Sequence, residues 1–576
     1  MLLGTMYLRT TSKRRKDGSI VRYLQLAHNE WDAEARQAKA RGLYNFGRED
    51  ELDREAIARL IASLARALEP GEVLAATAAP ELSFLDSRPM GGAYVLDGLW
   101  RRLSIDATLA RLLSGRRLDS GAERVLFALV ANRALEPLSK LAATQWVAER
   151  VAILGLEEVD DDACYRAMDF LLEVEPELAE AVYWATADLL NLEVDLLFFD
   201  TTSSYFEIDE PDPGPSREAE GEAAGEGGDE AEAGFRSYGK SKDDRPDLPQ
   251  IVVGLAVTRS GIPIRVWVWP GNRNDHELIR QVKDELRAWK LTRVVWVADR
   301  GFCSAENRRY LQRAGGHYIL GEKLRGDSKE AAAALSRQGR YRTVADNLRV
   351  KEVVIDDSTM RDRFVVCHNP EQAERDRAVR EQILAQLEAA LAGSDALAAA
   401  KRADLACDLQ AKPGYRRLLR TTPSGLLRID RAAVAVEERL DGKFLLRTSD
   451  PTLSAEDVAL GYKQLLEVER VWRDLKTTLD LRPIYHRKQE RIRAHVLLCW
   501  LALLLVRIAE NATGETWRNL RNELERLHLG TFAGPAGTSR QRTELTPRQK
   551  AILRALELPE PPRFLHLEPA ATAQPA

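Results

Sequence analysis

The chain has 576 residues, too many for one hydrophobic core, and its 45% hydrophobic and 30% charged residues are the proportions of a soluble globular protein. Five cysteines (Cys164, Cys303, Cys367, Cys407, Cys499) are odd in number and lack Cys-x-x-Cys spacing, which argues against a disulfide framework and against a structural zinc site. Residues Glu207 to Glu232 hold 11 acidic residues and one arginine, a local −10 within a net −5, so the remainder sits at +5 and any phosphate binding must rest on local clusters.

The N-terminus lacks the charged start, apolar core and small-residue cleavage site of a signal peptide. The longest apolar run, Val496 to Val506, falls short of the roughly 18 to 20 residues of a spanning helix. The expected setting is the cytoplasm, with no membrane partner.

Taken in order, Arg9, Lys13, Arg14, Arg15 and Lys16 precede Asp17-Gly18 and the alternating run Ile20 to Leu26, which predicts a hairpin with a basic lip. A helical period over Glu51–Leu68 stops at Pro70-Gly71. Five helices are predicted next, over 100–113, 120–135, 138–150, 163–173 and 175–190. Such a bundle is a structural unit by default and a candidate for DNA binding.

The period then shifts. Val194 to Phe199 reads as a buried central strand ending at Asp200, and the Glu-, Gly- and Ala-rich stretch 207–234 reads as a disordered acidic loop. A second hairpin follows, Gln250–Thr258 and Ile262–Trp269 around Ser260-Gly261. A helix over 275–289 then leads into the strand Val294 to Ala298, which ends on Asp299. With a helix crossover between them, the first and last of these strands can lie parallel and adjacent, each ending on an acid.

Beyond Gly301 the pattern is mixed. Arg349–Ile355 and Arg363–His368 read as paired strands, Glu371–Leu391 as a charged helix, and Phe444–Thr448 as one more strand. The run Tyr462–Lys476 contains no Gly or Pro and reads as one helix. Its stripe of Val468, Val471, Trp472, Leu475 and Leu479 is apolar, while Tyr462, Glu469, Arg473 and Lys476 fall within roughly 60° of one another. An apolar helix spans 491–510. The Pro-, Ala- and Thr-rich tail past Gly530 is expected to be loosely ordered apart from Pro547–Leu556.

Two acids at the ends of parallel strands and a third on a distant helix, Asp200, Asp299 and Glu469, can converge at one sheet edge and share hard divalent cations, the arrangement that activates a nucleophile in phosphoryl transfer. Basic residues around the helix (Arg470, Arg473, Lys476, Arg482, Arg487, Lys488, Arg491, Arg493) suit backbone contacts to DNA. His486 and His495 read as packing or DNA-side residues rather than metal ligands.

These residues resemble a known family, the DDE transposases of bacterial insertion sequences in the insertion-sequence-four superfamily. Its helix signature is Tyr, two residues, Arg, three residues, Glu, six residues, Lys. Tyr462, Glu469 and Lys476 fall at those spacings, and Leu465 stands where the family has Arg. The contexts Phe199-Asp200-Thr201-Thr202, Ala298-Asp299-Arg300-Gly301 and Ser241-Lys242-Asp243-Asp244-Arg245-Pro246-Asp247 are similar to the family's as well.

The resemblance implies an α/β fold. An RNase H-like catalytic core, in parts 191–302 and 443–512, would be interrupted by a mainly β insertion at 303–442. An N-terminal β/α region (1–85) and a helical bundle (86–190) would precede it, with a helical and flexible tail at 513–576. Asp200, Asp299 and Glu469 would hold two Mg2+ or Mn2+ ions. Tyr462 and Lys476 would hold DNA phosphate, joined by Arg473 in place of the missing arginine and by Arg470, Arg300 and Lys242. The implied reaction is hydrolysis at the element's ends, then attack of the freed 3′ hydroxyl on target DNA by a homodimer that bridges both ends. The alternatives are a DNA-binding protein derived from a transposase and an RNase H-type nuclease that cuts without joining.

Overall fold

The structure, a computed structural model, describes residues 6–15, 20–32, 37–53, 56–57, 60, 83–116, 121–190, 196–208, 210–214, 234–287, 289, 294–325, 328–357, 360–534 and 537–569. The chain divides into two compact units. One comprises Met1–Asp86, Thr531–Arg540 and His566–Ala576, and the other Ser87–Gly530 and Gln541–Leu565.

In the first unit β1 (Met6–Arg14), β2 (Ile20–Asp32) and β3 (Gln37–Arg48) form an antiparallel sheet in that order, with Arg14 opposite Ile20 and Tyr23 opposite Arg48. The hairpin is found, and a third strand extends it. Its Asp17-Gly18 tip, the core of the acidic loop (215–233) and most of the predicted helix 51–68 lie outside the described residues.

β4 (Ser83–Pro89) leads into the second unit. There α1 (Gly91–Arg102) begins nine residues before the first predicted helix, and α2 (Ile105–Leu113), α3 (Ala122–Leu135), α4 (Lys140–Gln145, continued by a wider turn over Trp146–Arg150), α5 (Asp161–Glu173) and α6 (Glu175–Leu190) match the predicted helices. The main departure is at Ser104, whose φ of 52° splits 100–113 into two. Capping explains two of the starts. Ser139 and Asp160 each accept a hydrogen bond from a backbone N–H three residues on, at Ala142 and Ala163.

A nine-stranded mixed sheet follows, built from β5 (Leu196–Tyr205), β6 (Gln250–Val257), β7 (Pro263–Pro270), β8 (Val295–Ala298), β9 (His317–Glu322), β10 (Arg342–Ala345), β11 (Leu348–Asp357), β12 (Met360–His368) and β15 (Lys443–Thr448). Its order is β10-β11-β12-β15-β9-β8-β5-β6-β7. β5, β6 and β7 are antiparallel, and β8 and β9 run parallel to β5. α7 (Asp275–Arg287) makes the crossover between β7 and β8.

β6 is buried along its whole length, and Gly254 in its middle gives the Trp269 ring its place. A Cβ there would lie 2.5 Å from Trp269 and 3.2 Å from Phe199. Gly254→Ala is therefore expected to cost about 1–3 kcal/mol, measured by denaturant unfolding.

The segment 303–442 was expected to be a mainly β insertion. It contains α8 (Ala305–Gln312), α9 (Lys329–Ser336), α10 (Pro370–Leu391), α11 (Ala399–Ala411), α12 (Pro413–Arg416) and α13 (Arg431–Glu438), besides a small hairpin of β13 (Leu419–Thr421) and β14 (Leu427–Ile429). The region is mixed, and its longer strands extend the central sheet, because β15 pairs with β12 on one side and β9 on the other.

α14 (Ala455–Lys463), α15 (Leu465–Thr477) and α16 (Gln489–Thr513) come next, followed by α17 (Trp517–Leu524), α18 (Pro547–Ala555) and the strands His528–Gly534, Gly537–Arg542 and Phe564–Pro569. The tail thus carries more regular structure than its composition suggested.

α16 is the core helix, and 94% of its most apolar 18-residue window is buried inside the protein. His495 on this helix meets the Leu481 carbonyl at 3.2 Å, and its ring lies 5.6 Å from that of His486, which packs edge-on against Tyr165. Both histidines are packing residues. Burial first, then the charges of Lys140, Arg491 and Arg133, pull His486 from 6.5 down to about 4. His495 is also lowered well below 6.5, by burial first and then by Lys140, Arg133 and His486.

Below about 6.5 the unfolded chain takes up protons that the folded His486 refuses until about 4, so stability falls as pH drops through that window. The melting temperature of wild type is expected to fall between these pH values, and that of His486→Gln to fall less.

Candidate active site

β5 and β8 pair in parallel as far as Phe199 and Ala298, and the next residue in the chain after each is an aspartate. Asp200 and Asp299 thus stand on adjacent strands at the point where the parallel pairing stops. β5 does not end at Asp200 as predicted. It runs on to Tyr205, with Thr201 opposite Gly254 and Tyr205 opposite Gln250. Two of the polar residues in this buried stretch, Thr201 and Ser203, are satisfied by Lys242. Its backbone N–H donates to Ser203 Oγ at 2.8 Å, and its Nζ to Thr201 Oγ1 and the Thr201 carbonyl, both at 2.6 Å. The same ammonium lies 3.8 Å from Asp200 Oδ1.

After Asp299 the chain makes a short 3-10 turn over Arg300–Phe302. The buried Phe302 ring packs edge-on against Phe199, centroids 5.4 Å apart, and anchors this loop to the strand that bears Asp200. From α14 the Tyr462 hydroxyl donates to Asp299 Oδ1 at 3.0 Å. Burial first, and then the Asp299 carboxylate, push this phenol upward, so it stays protonated and donates. Gly321 on β9 leaves the room it needs, since a Cβ there would collide with the Tyr462 hydroxyl oxygen.

The predicted single helix over Tyr462–Lys476 is two helices, α14 and α15, separated by a turn at Gln464. Val468, Val471, Trp472 and Leu475 are buried as the apolar stripe required, and Glu469, Arg470 and Arg473 are exposed. Glu469 and Lys476 are seven residues apart. They therefore share one line along α15, about 10 Å apart on its axis.

Asp200 and Asp299 come together while Glu469 does not join them in one cluster. Among the described residues no three His, Cys, Asp or Glu side chains form a group that could hold a metal ion. The reason is rotational: the apolar stripe sets the face that α15 buries and leaves Glu469 on its exposed side.

The opposite side of α15 is locked by Arg507 from α16. This side chain is 2% exposed and lies 2.8 Å from Glu510, 3.4 Å from Glu467 and 3.9 Å from Asp474. Lys476 does not stand open toward solvent. Its Nζ bonds to Asp243 Oδ1 at 2.9 Å, and Arg482 Nη1 lies 2.7 Å from Asp243 Oδ2. Burial pulls the Lys476 ammonium down, and Asp243 opposes that shift. Sequence reasoning assigned no role to Asp243, Gly321 or Arg507. Only Asp243 carried a signal, its place in the run Ser241–Asp247.

A family model described as the transposase DDE domain matches residues 220–505, and one described as the IS1634 family transposase, N-terminal domain, matches residues 8–76. The chain is a DDE transposase of a bacterial insertion sequence. The DDE match includes Asp299, Tyr462, Glu469 and Lys476, and Asp200 precedes it. As a member of this family the transposase is a metal-dependent enzyme that acts on DNA. No curated protein matches it. Among solved structures, a cryo-electron-microscopy structure of the piggyBac transposase synaptic complex with hairpin DNA is similar over 75% of this chain and 78% of that chain, at 11% identity and a TM-score of 0.33.

Proposed function

We propose that this transposase excises and integrates its element by cleaving DNA at the element's ends and joining the freed 3′ hydroxyl to target DNA, with Asp200, Asp299 and Glu469 as the carboxylates that bind Mg2+ or Mn2+, two ions in all. The observation that carries this reading is the juxtaposition of Asp200 and Asp299 where β5 and β8 stop pairing. Carboxylate oxygens are the donors such hard cations take, so the donor chemistry fits. Bound there, the ions would supply a nucleophile at neutral pH and stabilise the leaving oxygen.

The order β7-β6-β5-β8-β9, three antiparallel strands followed by two parallel ones, supports an RNase H-like core assembled from 191–302 and 443–512. Glu469 lies on the same line of α15 as Lys476, and Lys476 reaches Asp243, next in the chain to the Lys242 that flanks Asp200. On this reading Glu469, exposed on α15, completes the carboxylate set when the ions bind. Tyr462 orients Asp299 through its hydroxyl and, with Lys476, Arg473, Arg470, Arg300 and Lys242, contacts the DNA backbone. The helical segment 86–190 adds DNA contacts. The transposase works as a homodimer on two ends, in the cytoplasm.

The test is a strand-transfer assay with a donor carrying the element's own ends, with Mg2+ or Mn2+, comparing wild type with Asp200→Asn, Asp299→Asn and Glu469→Gln. Joined products from wild type and none from the three variants are expected. Cleavage without joining would instead indicate a nuclease, and full activity of any variant would remove that residue from the site.

A further inference from the structure

Apart from Lys242, the run Ser241–Asp247 has no role in the reaction as derived so far, yet it is built into the site. Asp243 receives two cations from different parts of the chain: Lys476 from the last turn of α15, and Arg482 from the loop after it. The Asp243 and Lys476 side chains are 13% and 12% exposed, whereas Arg482, at 31%, still reaches solvent.

The run itself is pinned. Asp243 N–H and Arg245 N–H both donate to Ser241 Oγ, at 3.2 and 3.0 Å. Lys242, one residue before Asp243, is tied to Ser203 and Thr201 on β5, within three residues of Asp200. Asp243 is thereby held relative to Asp200, and it holds in turn the end of the helix that carries Glu469.

We propose that Asp243 is a positioning residue. It yokes Lys476 and Arg482 into one subsite for a DNA backbone phosphate and ties α15 to the strand of Asp200. Arg482 then supplies a second cation at the C-terminal end of α15, at the opposite end of the helix from Leu465, which stands where the family signature has arginine. One carboxylate between two cations leaves a net charge of +1. It also suppresses the mutual repulsion that would otherwise spread two flexible side chains apart. The guanidinium of Arg482 has five N–H donors, more than one carboxylate uses, so donors remain for a phosphate.

A pinned acid at a DNA site could instead act as a stopper that a phosphate must displace. The hydrogen bonds that hold the run to β5 and to Ser241 favour positioning, because a stopper has to move. This inference rests on Lys476 and Asp200 lying at the DNA site.

The experiment uses the full-length transposase and a duplex bearing one element end. It measures single-turnover cleavage at saturating DNA, affinity against salt, and the melting temperature of every variant. Lys476→Ala and Arg482→Ala are each expected to flatten the salt dependence of binding by about one unit of slope. Asp243→Asn is expected to slow cleavage about tenfold in wild type, with Asp243→Glu recovering part of the loss. In the Lys476→Ala/Arg482→Ala background the same change should cost less than about twofold, because its targets are gone.

An equal cost in both backgrounds would overturn the proposal, as would tighter binding and faster cleavage by Asp243→Asn, the result a stopper gives. Wild-type slope and cleavage in both cation variants would also overturn it. Asp200→Asn in the same assay reports separately on the metal-binding reading. Should Asp243→Asn fail to fold, Arg482→Ala alone, which keeps the Asp243–Lys476 pair, decides whether the second cation exists.

Discussion

Asp299→Asn, and likewise Asp200→Asn, should reduce DNA end cleavage by at least about a thousandfold, equivalent to roughly 4 kcal/mol of lost transition-state stabilisation. The substitution keeps the shape of the side chain and an oxygen that can still accept from the Tyr462 hydroxyl, now 3.0 Å from Asp299 Oδ1. What it removes is the negative charge that, in the proposed site, would bind a divalent cation. Duplex affinity should hold or improve, since an anion next to DNA phosphate has been neutralised. Single-turnover cleavage and a binding titration of the same preparations separate the two effects. Cleavage within about tenfold of wild type would exclude the residue as a metal ligand.

Arg507→Met should destabilise the fold by about 3 kcal/mol or more, because it strands carboxylates that the fold has taken out of water. Glu510, whose side chain is 10% exposed, is the main sufferer. Glu467 and Asp474, at 38% and 26%, recover part of their hydration, which keeps the loss near the lower end of the usual range for a broken buried pair. Asp474 is already held above the ordinary carboxylate range by burial and by Glu510. Denaturant unfolding measures the change, and Glu510→Gln in the same chain should restore part of it. A loss below about 1 kcal/mol would mean that Arg507 is not the lock between α15 and α16. Since α15 carries Glu469, cleavage should fall as well.

Much of the architecture was legible because it is written in local patterns. The bundle helices, the hairpin β6–β7, the crossover helix and α16 each follow from a period of about 3.6 or 2 residues bounded by caps and turns. The apolar stripe of α15 was read residue for residue, and Val468, Val471, Trp472, Leu475 and Leu479 are all buried. Element order allowed the strands that lead to the two aspartates to lie parallel and adjacent, and the register shows that they do.

The departures share a cause. Thr201–Tyr205 looks like a loop by composition, and it is a strand because β6 and Lys242 supply partners from elsewhere in the chain. The break at Gln464 is invisible in a run without Gly or Pro. The longer strands of 303–442 join the central sheet because β15 returns between β9 and β12, pairings between residues 75 to 129 positions apart.

By itself, then, the sequence determined the elements, their buried faces, the three candidate carboxylates and the family pattern, all properties of neighbouring residues. The tertiary structure decided which of these meet. It set Asp200 beside Asp299, left Glu469 on an exposed helix face, and turned Lys476 onto Asp243. Those outcomes depend on how α15 is rotated and clamped, by Arg507 on one side and Asp243 on the other. Such clamping is a sum of long-range contacts that no local period encodes.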